Sequence, residues 1–283
     1  MLEMKLSYRG SVNRWECDEN DHMNVRFFVE RHWQTLLGLN GEQNEDVRQD
    51  RIRVQHIRFQ KEARLATPIS GYWSIVRSSD QPVVLTELRH SVSGDLLSSC
   101  VHDIDALSDE GWSDLQDLSK EAGPRGVPAH RSEFAGVGID QAKQLGFQLI
   151  GTGTLEPREC DPEGRLMSQH LMGRLSDSMP HLWHHLYSGG EREVHSAEEG
   201  GAVLEYRFEF LEPLAAGDVY QIYSGLAVAG EKVQRFSHLV FSDGRLRVTA
   251  EAVGVRMDLT RRGVITLTPQ QVESLSSKAL TAP

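Results

Sequence analysis

Two rhythms of apolar and polar residues alternate along this chain, and they come in the same order twice. A strand-like run near Lys5 to Trp15 enters an acidic turn, Cys17 to Asp21. Behind it Phe27, Phe28, Leu36 and Leu37 recur at helical spacing, which predicts a helix near Asn24 to Gly38. Stretches rich in Val, Ile, Tyr and Phe follow near Arg51 to Ala63, Gly71 to Ser78, Val83 to Val92 and Leu96 to Ala106. Gly, Asp and Pro punctuate the gaps, as between strands. The second pass has a strand near Gln148 to Glu156 and a helix near Ser168 to Tyr187. Its later strands fall near Val203 to Leu211, Val219 to Ala229, Lys232 to Phe241 and Leu246 to Asp258.

The repetition reaches single residues. Gly10-Ser11-Val12 and Glu16-Cys17-Asp18 reappear as Gly153-Thr154-Leu155 and Glu159-Cys160-Asp161, offset by 143 (161 − 18). Arg58-Phe59 and Leu65-Ala66 reappear as Arg207-Phe208 and Leu214-Ala215, offset by 149 (207 − 58). The six extra residues (149 − 143) are expected around Ser188 to Gly201. Landmarks in one order at a nearly constant offset indicate a tandem duplication. The fold class is therefore α+β, with each unit a long central helix wrapped by an antiparallel sheet. Such a helix must be apolar on most faces. Phe27, Phe28, Val29, Trp33, Leu36 and Leu37 meet that need in the first copy, and Leu171, Met172, Leu175, Met179, Leu182, Trp183 and Leu186 in the second. The expected units are residues 1–111 and 139–283, the latter with a C-terminal tail, joined by a linker over 112–138. Gly123-Pro124-Arg125-Gly126-Val127-Pro128 cannot propagate a regular element. Short helices are expected at Ser113 to Glu121, at Ile139 to Gly146 and, capped by Thr268, at Pro269 to Lys278.

The chemistry sits at the acidic turn. Asp18 is delivered beside a helix start, whose unpaired backbone N–H groups suit a developing oxyanion. Its carboxylate can attack or activate water there. The bland reading is a cap for the helix, and Asn24 fits a cap equally well. Asp161 is the matched carboxylate, but Arg165 and Met167 replace His22 and Asn24. The second copy thus reads as a degenerate half, with Ser168 and His170 in a solvated first turn or lining the site that Asp18 faces.

Glu16-Cys17-Asp18 followed by His22-Met23-Asn24 resembles the signature of hot-dog-fold acyl thioesterases of the 4-hydroxybenzoyl-CoA and acyl-ACP types. The resemblance spans most of residues 6–107 and implies two tandem hot-dog units that pair side by side. It implies hydrolysis of an acyl-CoA or acyl carrier protein thioester with no cofactor or metal. Asp18 becomes general base or nucleophile, His22 shapes the mouth of the pocket, and Asn24 orients water or the thioester carbonyl. Phe27, Phe28, Arg58 and Phe59 become substrate contacts. Asp18→Asn is then expected to cost far more activity than Asp161→Asn. The rivals are a hot-dog hydratase or dehydratase and a non-catalytic acyl-binding protein. The Asp-x-Asn-Pro-x-His order of the hydratases is missing.

Composition narrows the partners. A net charge of −11 in 283 residues repels polyanions and argues against nucleic acid. No run approaches a membrane helix, and Met1 to Leu6 carry no signal-peptide core, so a cytoplasmic protein is expected, with homodimer formation open. Cys17, Cys100 and Cys160 do not form a disulfide framework or a Cys-x-x-Cys site. His181, His184 and His185 have metal spacing but no specified partner and read as exposed helix residues. Asp103, Asp105, Asp109 and Glu110 lack the Gly and Glu of a calcium loop. No Gly-x-Ser-x-Gly elbow or phosphate-cradling loop is present.

Overall fold

The structure is a computed structural model that describes residues 3–18, 20–43, 47–79, 81–105, 107, 115–187 and 199–283. Contacts divide the chain into unit 1, residues 1–125 with 161–173, and unit 2, residues 126–160 with 174–283. The second acidic loop and the first residues of the helix after it thus group with the first copy.

Unit 1 runs β1 (Lys5–Ser11), a 3-10 turn (Arg14–Glu16), α1 (Val25–Leu36), α2 (Gly38–Gln43), β2 (Ile52–Phe59), β3 (Pro68–Ser78), β4 (Gln81–His90) and β5 (Leu96–Ile104). Its sheet is antiparallel, in the order β1-β3-β4-β5-β2. The second copy runs α3 (Ile139–Gln144), β6 (Gln148–Thr154), a 3-10 turn (Pro157–Glu159), α4 (Ser168–Tyr187), β7 (Glu199–Phe210), β8 (Val219–Ala229), β9 (Gln234–Ser242), β10 (Arg245–Asp258), β11 (Gly263–Val264) and α5 (Pro269–Ser276). Its sheet follows β6-β8-β9-β10-β7, with β11 added to β10. Strand for strand this is the first order repeated, as a duplication requires. The six-residue insertion expected near Ser188 lies mainly outside the described residues.

Helix α1 starts where the Asn24 side chain accepts the Arg26 N–H at 3.0 Å. It packs on β1, β3, β4 and β5. The approach to β3 is close: a Cβ at Gly71 would lie 2.1 Å from Thr35 Oγ1, so that strand position needs glycine. Phe28, Val29, Trp33 and Leu36 are buried, whereas Leu37 is exposed. The helix is less apolar than its pattern predicts, because Arg31 and His32 are buried as well.

Each of those two has a reason. Arg31 pairs with the buried Glu16, whose other oxygen accepts the Asn13 N–H at 2.8 Å. The second copy repeats this at the same offset: Arg174 binds Glu159 at 2.7 Å, and Glu159 accepts the Glu156 N–H at 2.9 Å. His32 bridges helix and sheet. Its Nδ1 meets Thr86 Oγ1 at 2.8 Å and its Nε2 meets Ser98 Oγ at 2.8 Å. Thr86 Oγ1 also meets His102 Nε2 at 2.9 Å. In unit 2, His238 Nδ1 meets Ser224 Oγ at 2.6 Å.

Burial holds these imidazoles neutral. It pushes His102 and His238 down from 6.5 to about 3, and pushes His32 well down, with His102 adding to the effect. Unfolding frees them to protonate near their ordinary value. Their contribution is therefore complete above pH 6.5 and is lost progressively toward pH 3. At pH 5 the loss is about 2 kcal/mol for each of His102 and His238, at about 1.4 kcal/mol per pH unit. The melting temperature should fall steeply from pH 6.5 to pH 4. A profile flat over that range would contradict this assignment.

The expected helix at Ser113 to Glu121 is not formed over its described part, residues 115–121. That stretch is a strap. The Arg77 N–H donates to Gln116 O and Leu118 N–H donates to Arg77 O, using backbone groups of β3 beyond its pairing with β1. Arg58 Nη1 then donates to the carbonyls of Glu121 and Gly123 at 2.7 and 2.8 Å. Further on, the buried Glu205 accepts the N–H groups of Gly126 and Val127 at 2.7 and 3.0 Å. The Gly-Pro run predicts a free linker, but its backbone is fastened at every few residues. Helix α5 starts, as expected, at a Thr268 cap.

Candidate functional site

The two acidic loops are built alike. Asp18 N–H donates to His22 O, and Asp18 Oδ1 accepts the N–H groups of Asn20 and His22 at 2.9 and 3.1 Å. Asp161 N–H donates to Arg165 O, and Asp161 Oδ1 accepts those of Glu163 and Arg165 at 3.1 and 2.8 Å. Each loop turns through a left-handed residue, Asp21 at φ +60° and Gly164 at φ +79°, and glycine adopts that conformation with less strain. In both, the backbone fixes one carboxylate oxygen and leaves Oδ2 outside the loop's own bonds.

The surroundings differ. Asp18 is half-buried, whereas Asp161 is 8% exposed and its Oδ2 is buried with no hydrogen-bond partner among the described residues. The helix starts differ too. Asn24 caps α1 with its own side chain. Met167 cannot cap α4, and the Ser168 N–H instead meets Gln49 Oε1 at 3.2 Å. Gln49, Ser168 and Gln169 are all buried, and Gln49 Nε2, Ser168 Oγ and Gln169 Oε1 have no partner among the described residues. Ser168 is therefore enclosed rather than in a solvated first turn, while His170 is half-buried. The Nε atoms of Arg26 and Arg165, also in unit 1, are buried and have no hydrogen-bond partner among the described residues.

The other expected site residues are dispersed. His22 Nε2 meets Glu62 Oε2 at 2.9 Å rather than Asp18. Phe28 is buried and packs edge to face on Phe59 at 5.7 Å, within a cluster that includes Val12, Met23, Ile69, Leu88 and Leu97. Phe27 is half-buried beneath the Arg26 guanidinium, 4.9 Å from its ring. Arg58 holds the strap. Cys17 and Cys160 donate their S–H groups to Asn13 O and Glu156 O, which makes them parts of the loops. His181, His184 and His185 line the exposed side of α4, and no cluster suited to a metal ion forms among the described residues. No helix among them is long and apolar enough to cross a membrane. Sequence reading missed Gln49 and Gln169. Gln49 sits in a 3-10 turn, Gln49–Arg51, within a stretch that has no motif.

Residues 155–279 match the thioesterase-like superfamily. That match lies in the copy whose motif is the more altered. No curated protein matches the sequence. Among solved structures, a candidate oleoyl thioesterase from Lactobacillus plantarum is similar over 94% of this chain and 97% of its own, with a TM-score of 0.62 at 10% identity. An acyl-ACP thioesterase from Bacteroides thetaiotaomicron is similar over 87% and 96%, with a TM-score of 0.56 at 11% identity. A 12:0-ACP thioesterase from Umbellularia californica is similar over 87% and 92%, with a TM-score of 0.57 at 10% identity. These similarities run through both copies and establish the tandem hot-dog fold.

Proposed function

We propose that the chain hydrolyses an acyl-CoA or acyl carrier protein thioester to free acid and thiol, with a loop carboxylate as general base or nucleophile. The observation that carries this reading is the twice-built loop, which ties Oδ1 of Asp18 or Asp161 to backbone N–H groups and leaves Oδ2 outside those bonds, seven positions ahead of a helix (25 − 18 and 168 − 161). As a base, the carboxylate takes a proton from water while the water oxygen bonds to the thioester carbon. The carbonyl oxygen becomes an oxyanion facing N–H donors. Collapse breaks the C–S bond, and the leaving thiolate recovers the proton from the carboxylic acid. Hydration of an enoyl thioester fits less well, since His22 is engaged by Glu62 and forms no Asp–His pair with Asp18. The similar solved structures are a candidate oleoyl thioesterase, an acyl-ACP thioesterase and a 12:0-ACP thioesterase, which supports an acyl thioester as substrate class.

The test is free-thiol release from a panel of acyl-CoA thioesters, with crotonyl-CoA hydration assayed beside it. Thiol release from at least one chain length is expected. Hydration without thiol release would favour the hydratase, and binding without turnover would favour an acyl-binding protein.

A further inference from the structure

Deepening that reading, we infer that the working site lies at the second acidic loop, and that Gln49 is a catalytic residue there, its amide Nε2 donating to the thioester carbonyl oxygen at the N-terminus of α4. Buried polar atoms are nearly always paired, so a group of unpaired ones marks a place where something else binds. Four such atoms among the described residues belong to unit 1, three of them within positions 161–169: Gln49 Nε2, Ser168 Oγ, Gln169 Oε1 and Asp161 Oδ2. Their residues are 4%, 0%, 4% and 8% exposed. Gln49 is aimed at the helix start, because its Oε1 accepts the Ser168 N–H at 3.2 Å. That bond fixes the amide at the helix start and leaves the Nε2 donors without a partner among the described residues.

The carboxylate is close along the chain. Asp161 Oδ1 holds the Arg165 N–H at 2.8 Å, and only Leu166 and Met167 separate Arg165 from Ser168. Two intervening residues span at most about 10 Å. The replacement of Asn24 by Met167 reads as decay in the sequence, but it has a chemical consequence here. Asn24 uses its side chain to close the first turn of α1. Methionine cannot, so the Gln169 N–H, the counterpart of the Arg26 N–H (26 + 143 = 169), keeps no side-chain cap and is left for an oxygen that develops negative charge. Donor amide, the uncapped Gln169 N–H and a carboxylate with one free oxygen are the three parts an acyl transfer to water needs.

Gln49→Glu separates this role from simple support. Glutamate keeps an oxygen for the Ser168 N–H and suits a helix N-terminus, but has lost the amide donor. The expected result on an acyl-CoA substrate cleaved by the wild type is a kcat lower by about 10²–10³-fold, the usual cost of one oxyanion donor, with KM little changed. Gln49→Met, which lacks donor and acceptor, should lose at least as much. Wild-type kcat in a folded Gln49→Glu protein would overturn the assignment, and so would failure of both variants to fold, which would make Gln49 a structural support. A wild type inert on the whole panel would instead overturn the hydrolase reading on which this rests.

Discussion

Asp161→Asn lowers kcat/KM on a good acyl thioester by about 10²–10⁴-fold, the range for loss of a general base, and Asp18→Asn gives the smaller loss. Asparagine keeps an oxygen for the Glu163 and Arg165 N–H groups, so the loop and the melting temperature should survive the change. What disappears is the charge on the free oxygen. The motif alone argues the reverse, because His22 and Asn24 stand beside Asp18. In the structure those companions serve elsewhere: His22 pairs with Glu62 and Asn24 caps α1. The unpaired buried groups gather instead near Asp161. Steady-state kinetics of the two variants on one substrate decide the matter, and a silent Asp18→Asn beside a nearly wild-type Asp161→Asn would return the site to the first loop.

Glu16→Ala destabilises the protein by about 3 kcal/mol in urea unfolding, the low end for breaking a buried ion pair. Glu16 and Arg31 are 3% and 9% exposed, so the arginine is left charged where water is scarce. The low end applies because Glu30, at 3.5 Å from Arg31, and Gln34, at 3.0 Å, remain as partners. The lost acceptor for Asn13 N–H adds to the cost. The matched change Glu159→Ala should cost less, about 1 kcal/mol, because Arg174 is 35% exposed and can turn to water. Glu16→Ala with Arg31→Met should recover part of the loss by removing the orphaned charge. Equal losses at Glu16 and Glu159 would mean that burial does not govern these pairs.

Much of the fold is legible in the sequence, since periodicity and repetition are local. The bounds of α4, Ser168–Tyr187, follow from spacing alone, and the offset of 143 locates both acidic loops. The Glu16–Arg31 pair was within reach by the same offset, as 31 + 143 gives Arg174. Other features have no local trace. The strap over residues 115–125 depends on carbonyls reached by Arg58 from a distant strand. The polar layer of His32, Thr86, Ser98 and His102 exists only once three elements stack. Gln49 meets Ser168 across 119 positions. A motif shows which residues a loop carries; it does not show which of two similar loops faces unpaired buried groups.

We propose that a loop carboxylate ahead of a helix start opens an acyl thioester. The most direct measurement is free-thiol release from the acyl-CoA panel by the wild type and by the double variant Asp18→Asn/Asp161→Asn, with both shown to be folded. Turnover by the wild type and its loss in the double variant are expected; equal turnover by the two would rule out both carboxylates.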